Sequence, residues 1–177
     1  MSMHSWGISA LTPIFLFLLS TALQAAGPGL GQPLAPEEMK SWDITVLPDG
    51  TGLPPGSGTA KQGAAIYAQK CMHCHGEGAK GGVNAALVGA PPIKSIEATK
   101  TIANFWPYAT TVFDYIRRAM PWQSPRTLTD DEAYALTAFI LAQNKLIPEN
   151  EVVNAQSLPK VRMPNRDGFI PRFPDKM

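Results

Sequence analysis

KCMHCHGEG, residues 70–78, places two cysteines, Cys71 and Cys74, two residues apart, with His75 directly after the second. They are the chain's only two cysteines. A pair this close serves a metal clip, a redox dithiol, a disulfide or a haem attachment. Structural zinc takes four protein ligands in a tetrahedron. Cys71, Cys74 and one of His73 or His75 leave a position short, and the sequence offers no second cluster: His4 is the remaining histidine. A thioredoxin-like dithiol sits in a βαβ context, and no parallel-sheet pattern accompanies this one. A disulfide closing so short a loop removes little chain entropy. The haem reading fits the spacing. Thiols at i and i+3 on one turn can each bond a vinyl carbon of one porphyrin, and the next residue is then carried over the iron. C-x-x-C-H is the sequence signal of c-type haem attachment. The expectation is one covalently attached haem c, with Cys71 and Cys74 as thioether anchors, His75 as proximal iron ligand through Nε2, and His73 exposed.

The opposite face of the iron needs a second ligand. The sulfur candidates are Met39, Met72, Met120 and Met163. Met72 lies inside the attachment loop, Met39 in an amino-terminal arm and Met163 in a carboxy-terminal tail. Met120 lies between two helical patterns and precedes Pro121, in a stretch able to cross the distal haem face. Met120 is therefore the expected ligand, with Met163, also followed by proline, as runner-up. Trp106, Tyr108, Arg117 and Arg118 are near Met120 in sequence. Trp106 and Arg117 are candidate hydrogen-bond donors to the haem propionates; a solvated basic face and core aromatics are the alternative reading. Trp122 is expected to pack beside the methionine loop. Histidine–methionine ligation raises the reduction potential and fills the sixth coordination position. That points to outer-sphere electron transfer rather than to an enzyme. A gas-binding or catalytic haem with a vacant position is the rival from another class.

The surrounding pattern is helical. Thr59 to Cys71 reads as a helix in which Gly63 and Tyr67, four apart, share a face. Thr110 to Ala119 reads as a second, ended by Pro121, because the residue before a proline is pushed out of the helical region. Leu128 to Asn144 is the strongest, with a Thr129/Glu132 capping box and an apolar stripe of Leu136, Phe139 and Ile140. The fold class is all-α. Of 177 residues, 17 are proline, roughly twice the usual 5%, and they gather outside this centre. The organisation reads as a signal peptide over 1–26, a Gly/Pro-rich arm over 27–57 with one short helix opening at Pro36, a haem domain over 58–147 and a proline-rich tail over 148–177. Ile8 to Ala26 is mostly apolar, with cleavage after Ala22 or Ala25; Pro13 and several hydroxyl residues weaken it as a membrane span, so no stable anchor is expected. An exported, periplasmic protein follows. The net charge of +1 gives no reason to expect a nucleic-acid partner.

In order, Gly63, Tyr67, the C-x-x-C-H, a methionine loop and a last helix with Leu136 and Phe139 resemble class I cytochrome c. That resemblance implies that Gly63 and Tyr67 meet Leu136 and Phe139 where first and last helices cross, and that a proline carbonyl, here Pro91 or Pro92, accepts the other N–H of His75. WDITVLPDGTGLPPGSG, FWPYATTVFDYIRRAMPW and IPENEVVNAQSLPKVRMPNRDGF, within Leu30 to Phe173, resemble the cytochrome subunits of periplasmic sulfite or sulfur dehydrogenases. This second resemblance implies a molybdopterin-containing dehydrogenase partner as electron donor and a downstream cytochrome c or oxidase as acceptor. The alternatives are a free-standing periplasmic shuttle or the cytochrome of another dehydrogenase.

Overall fold

The computed structural model describes residues 30–169. The expected signal peptide lies outside them. The chain divides between Ala35 and Pro36; residues 30–35 contain no helix or strand. From Pro36 onward the elements are α1 (Pro36–Trp42), β1 (Ser57–Thr59), α2 (Ala60–Lys70), α3 (Met72–His75), α4 (Ile102–Phe105), α5 (Ala109–Ala119), α6 (Asp130–Gln143) and β2 (Val152–Asn154), with 3-10 turns at Glu77–Ala79 and Leu158–Lys160. The fold is all-α, as the sequence implies, apart from one pair of three-residue strands.

Capping chemistry sets where α2 and α6 begin. Thr59 caps α2: its Oγ1 accepts from the Gln62 N–H while the Gln62 side chain accepts from the Thr59 N–H. Thr129 and Glu132 do the same for α6, and Asp130, Asp131 and Glu132 place negative charge on its first turn, where the helix dipole favours it. Each helix therefore starts one residue or two after the start read from the sequence.

α6 is the axis of the molecule. Every residue from Ala133 to Ala142 is buried, so the stripe read from the sequence is in fact a helix covered on all sides. α2, α5 and the β1–β2 pair pack against it. Two glycines set how closely. A Cβ at Gly63 would lie 1.9 Å from the Ala135 carbonyl oxygen and 2.7 Å from Phe139 Cβ; one at Gly58 would lie 2.2 Å from the Ala135 nitrogen. Tyr67 and Phe139 meet at 4.9 Å between ring centroids. The expected crossing is present, with Ala135 rather than Leu136 beneath Gly63.

The flanking segments are not loose arms. α1 forms where Pro36, Glu37 and Glu38 foretold it. Beyond it Val46 is buried, the Pro54 carbonyl accepts from Tyr134 Oη at 2.8 Å and the Ser57 N–H donates to Asp131 at 2.8 Å. In the tail, Val153, Leu158 and Met163 are each no more than 1% exposed. β2 pairs antiparallel with β1, Val153 opposite Gly58. The tail lacks helical period, so its core residues are invisible to a periodicity reading; Val153 enters the core from the three-residue strand β2, Leu158 from a 3-10 turn and Met163 from irregular chain.

Tyr134 ties the amino-terminal segment to this core. It is fully buried, and loss of hydration pushes its hydroxyl from the ordinary 10.0 up to about 12. The unfolded chain sheds this proton near pH 10 while the folded chain keeps it, so the stabilisation is complete below pH 10 and is lost as pH rises through 12. Tyr67, raised for the same first reason, adds to the loss. Tyr134→Phe is expected to cost about 1 kcal/mol at neutral pH, since the Pro54 carbonyl loses its donor, and to flatten the alkaline fall. Urea unfolding at pH 7, 10 and 11.5 checks both.

Candidate functional site

α2 ends at Lys70, and the chain turns once more through α3, which carries Met72, His73, Cys74 and His75. The Cys74 and His75 N–H groups both donate to the Cys71 carbonyl, at 3.1 and 3.0 Å. This one turn puts Cys71, Cys74 and His75 on the wall of a single cavity of about 520 Å³, a size typical of cofactor sites. Ile116, Met120, Pro121 and Trp122 line the same cavity, and Leu136 and Ile140 of α6 and Leu87 add apolar surface. Leu136 and Ile140, an i, i+4 pair, share one face of α6, and Ile116 of α5 and Met120, the extended residue that ends it, line the same space. No disulfide joins Cys71 to Cys74. Before haem attachment, burial pushes the Cys71 thiol up to about 11.

His75 is oriented by backbone. Its Nδ1 lies 3.0 Å from the Ala85 carbonyl oxygen. Nδ1–H donation fixes the tautomer and leaves the Nε2 lone pair for a metal. Ala85 also lines the cavity. The acceptor is thus Ala85 and not Pro91 or Pro92; the Pro91 carbonyl accepts instead from Asn104 Nδ2 at 2.8 Å. The Ala85 segment is itself held. The Asn84 N–H donates to the Cys74 carbonyl at 2.9 Å, and Asn144, beyond the end of α6, donates to Leu87 O and accepts from the Gly89 N–H. Tyr67 Oη donates to the Gly76 carbonyl at 2.7 Å and fixes the turn after His75. Thioether-forming thiols, an imidazole with its outer nitrogen engaged, a methionine in the same cavity wall and apolar lining residues together fit a c-type haem.

The other candidates separate. Met163 is 1% exposed within the hydrophobic core and is absent from the cavity wall. Arg117 and Trp106 do not reach the wall either. Arg117 Nε pairs with Asp130 at 2.7 Å, and Trp106 stands edge-on to Tyr115 at 5.5 Å. Arg117, on α5, is thus turned toward α6, and Trp106, which ends α4, packs on Tyr115 of α5. The polar wall residues are Lys70, His73, Asn84 and Gln123. Lys70 Nζ is committed to Glu132 at 2.6 Å, and this lysine holds the Glu132 carboxyl below its usual range. Trp122 does border the cavity, yet it is 74% exposed rather than packed away.

Comparison with known proteins places the chain among c-type cytochromes. The family described as cytochrome c oxidase, cbb3-type, subunit III matches residues 58–140. The solved structure of the sulfane dehydrogenase SoxCD from Paracoccus pantotrophus contains a chain 41% identical to this one, with a TM-score of 0.76, over 85% of this chain and 75% of that one. No helix among the described residues is long and apolar enough to cross a membrane.

Proposed function

The chain belongs to the c-type cytochromes, holding haem c covalently and transferring electrons, and on that footing we propose that it is the electron-accepting subunit of a periplasmic sulfur-compound dehydrogenase. Haem c supplies reversible one-electron chemistry at its iron. Cys71 and Cys74 would tether the macrocycle, and His75, held by the Ala85 carbonyl, and Met120 would be the side chains that hold the iron. The apolar wall of Ile116, Leu136 and Ile140 keeps water from the iron and favours its less charged, reduced state. Two side-chain ligands would leave no open position for oxygen, which supports a role in electron transfer rather than in oxygen chemistry.

The observation that carries the dehydrogenase reading is the 41% identity to the chain of sulfane dehydrogenase SoxCD, which extends over 85% of this chain and so includes the flanking segments as well as the haem domain. The donor is proposed to be a molybdopterin-containing subunit that oxidises its sulfur compound by two electrons, and the acceptor a further cytochrome c or an oxidase. This chain carries one C-x-x-C-H, so each substrate oxidised must reduce the haems of two molecules of it, or one molecule twice. The test is anaerobic titration of the purified native complex with sulfite, a two-electron donor, followed at the haem bands. The expected result is two ferric haems reduced per substrate, dependent on molybdenum. A cytochrome that purifies without a molybdenum protein, and that no such protein reduces, would establish a free-standing shuttle instead.

A further inference from the structure

The connection between α5 and α6 carries Met120 and runs to Leu128. Leu128 is buried, but residues 122–127 are all exposed. Core packing therefore does not fix this stretch, and segments so held open easily. Its internal bonds, Ser124 N–H to Pro121 O and Thr127 Oγ1 to Ser124 O, shape the loop without attaching it to anything. Two contacts do attach it. At the neck, Arg117 of α5 pairs with Asp130 of α6. At the far side, Arg126 Nη2 donates to the Ser41 carbonyl at 2.9 Å. Ser41 is in the last turn of α1, whose carbonyls the helix leaves without N–H partners and where positive charge is favoured. Arg126 also holds φ +63, the left-handed region that glycine enters freely and a long side chain enters at a cost.

We infer that Arg126 is a positioning residue for the Met120 thioether: by capping α1 at Ser41 it anchors the ligand-bearing connection to the amino-terminal segment. A backbone position suited to glycine is occupied by the one side chain that reaches across. Next to it, Arg118 makes a parallel contact, Nη2 to Ile44 O at 3.3 Å, so residues 41–44 are held to the methionine side of the haem at two points. The inference rests on the reading of Met120 as iron ligand.

The experiment compares ferric holoprotein of wild type, Arg126→Gly and Arg126→Lys. Near-infrared sulfur-to-iron absorption is followed during imidazole titration, and thermal unfolding is measured in parallel. The expected result is that imidazole displaces Met120 from Arg126→Gly at roughly three- to tenfold lower concentration, the scale of one charge-assisted hydrogen bond, while its melting temperature is unchanged or higher because glycine relieves the backbone. Arg126→Lys, which keeps the charge, falls between. Equal imidazole midpoints in wild type and Arg126→Gly, or a shift accompanied by a matching fall in melting temperature, overturn the positioning role. Absence of the sulfur band from the wild type overturns the ligation reading and this inference with it.

Discussion

Met120→Ala is expected to abolish the near-infrared sulfur-to-iron absorption of the ferric protein and to lower its reduction potential by on the order of 0.2 V, well inside the roughly 0.8 V that axial ligation spans. Two features make this the larger chemical effect. Met120 is the methionine that shares the cavity wall with His75, and alanine supplies no donor atom. Losing the thioether removes the ligand that favours ferrous iron and leaves a position for water, which stabilises the ferric charge. The same change lets carbon monoxide bind the ferrous variant. Met163→Leu is the control: Met163 is a core residue away from the wall, and a volume-conserving swap should cost under about 1.5 kcal/mol and leave the absorption intact. Optical spectra and redox titration of both variants decide between the two methionines.

Gly63→Val is expected to prevent accumulation of folded holoprotein, and Gly63→Ala to destabilise it by about 2 kcal/mol or more. The sign is what discriminates. At an open helix position alanine gains up to about 1 kcal/mol over glycine. Here the added Cβ meets backbone, 1.9 Å from Ala135 O and 2.6 Å from Ala135 C, and a backbone carbonyl in a buried helix has no rotamer by which to yield. Relief requires α2 to move away from α6. That movement opens the Tyr67–Phe139 contact and carries α3, with its haem anchors, away from the apolar wall. Against a total stability of about 5–15 kcal/mol, valine removes enough to expose the chain before haem attachment is complete. Denaturant unfolding of Gly63→Ala and haem-stained yield of Gly63→Val measure the two effects.

What the sequence revealed follows from which interactions are local. C-x-x-C-H is contiguous because one helical turn must present both thiols and the imidazole, so Cys71, Cys74 and His75 were legible at once. The start of α6 was legible because a capping box is written in four residues, Thr129 to Glu132. Met120 emerged by elimination, from its place between two helices. Backbone acceptors leave no such trace: any residue offers a carbonyl, and only the fold of residues 76–100 sets Ala85 rather than Pro91 or Pro92 against His75. Arg117 illustrates a further limit. A guanidinium near the haem loop suits a propionate and a carboxylate equally well, and Asp130, thirteen residues on, is the partner it meets. In the tail, Val153, Leu158 and Met163 enter the core singly between prolines and turns, where no period of 2 or 3.6 announces them.

Wild-type ferrous holoprotein exposed to carbon monoxide at neutral pH, without denaturant, tests most directly whether both faces of the iron are closed by this chain. With Nε2 of His75 on one side and the Met120 thioether on the other, the visible spectrum is expected to stay unchanged. Prompt formation of a carbon monoxide complex would contradict six-coordinate closure and, with it, the assignment of this protein to electron transfer alone.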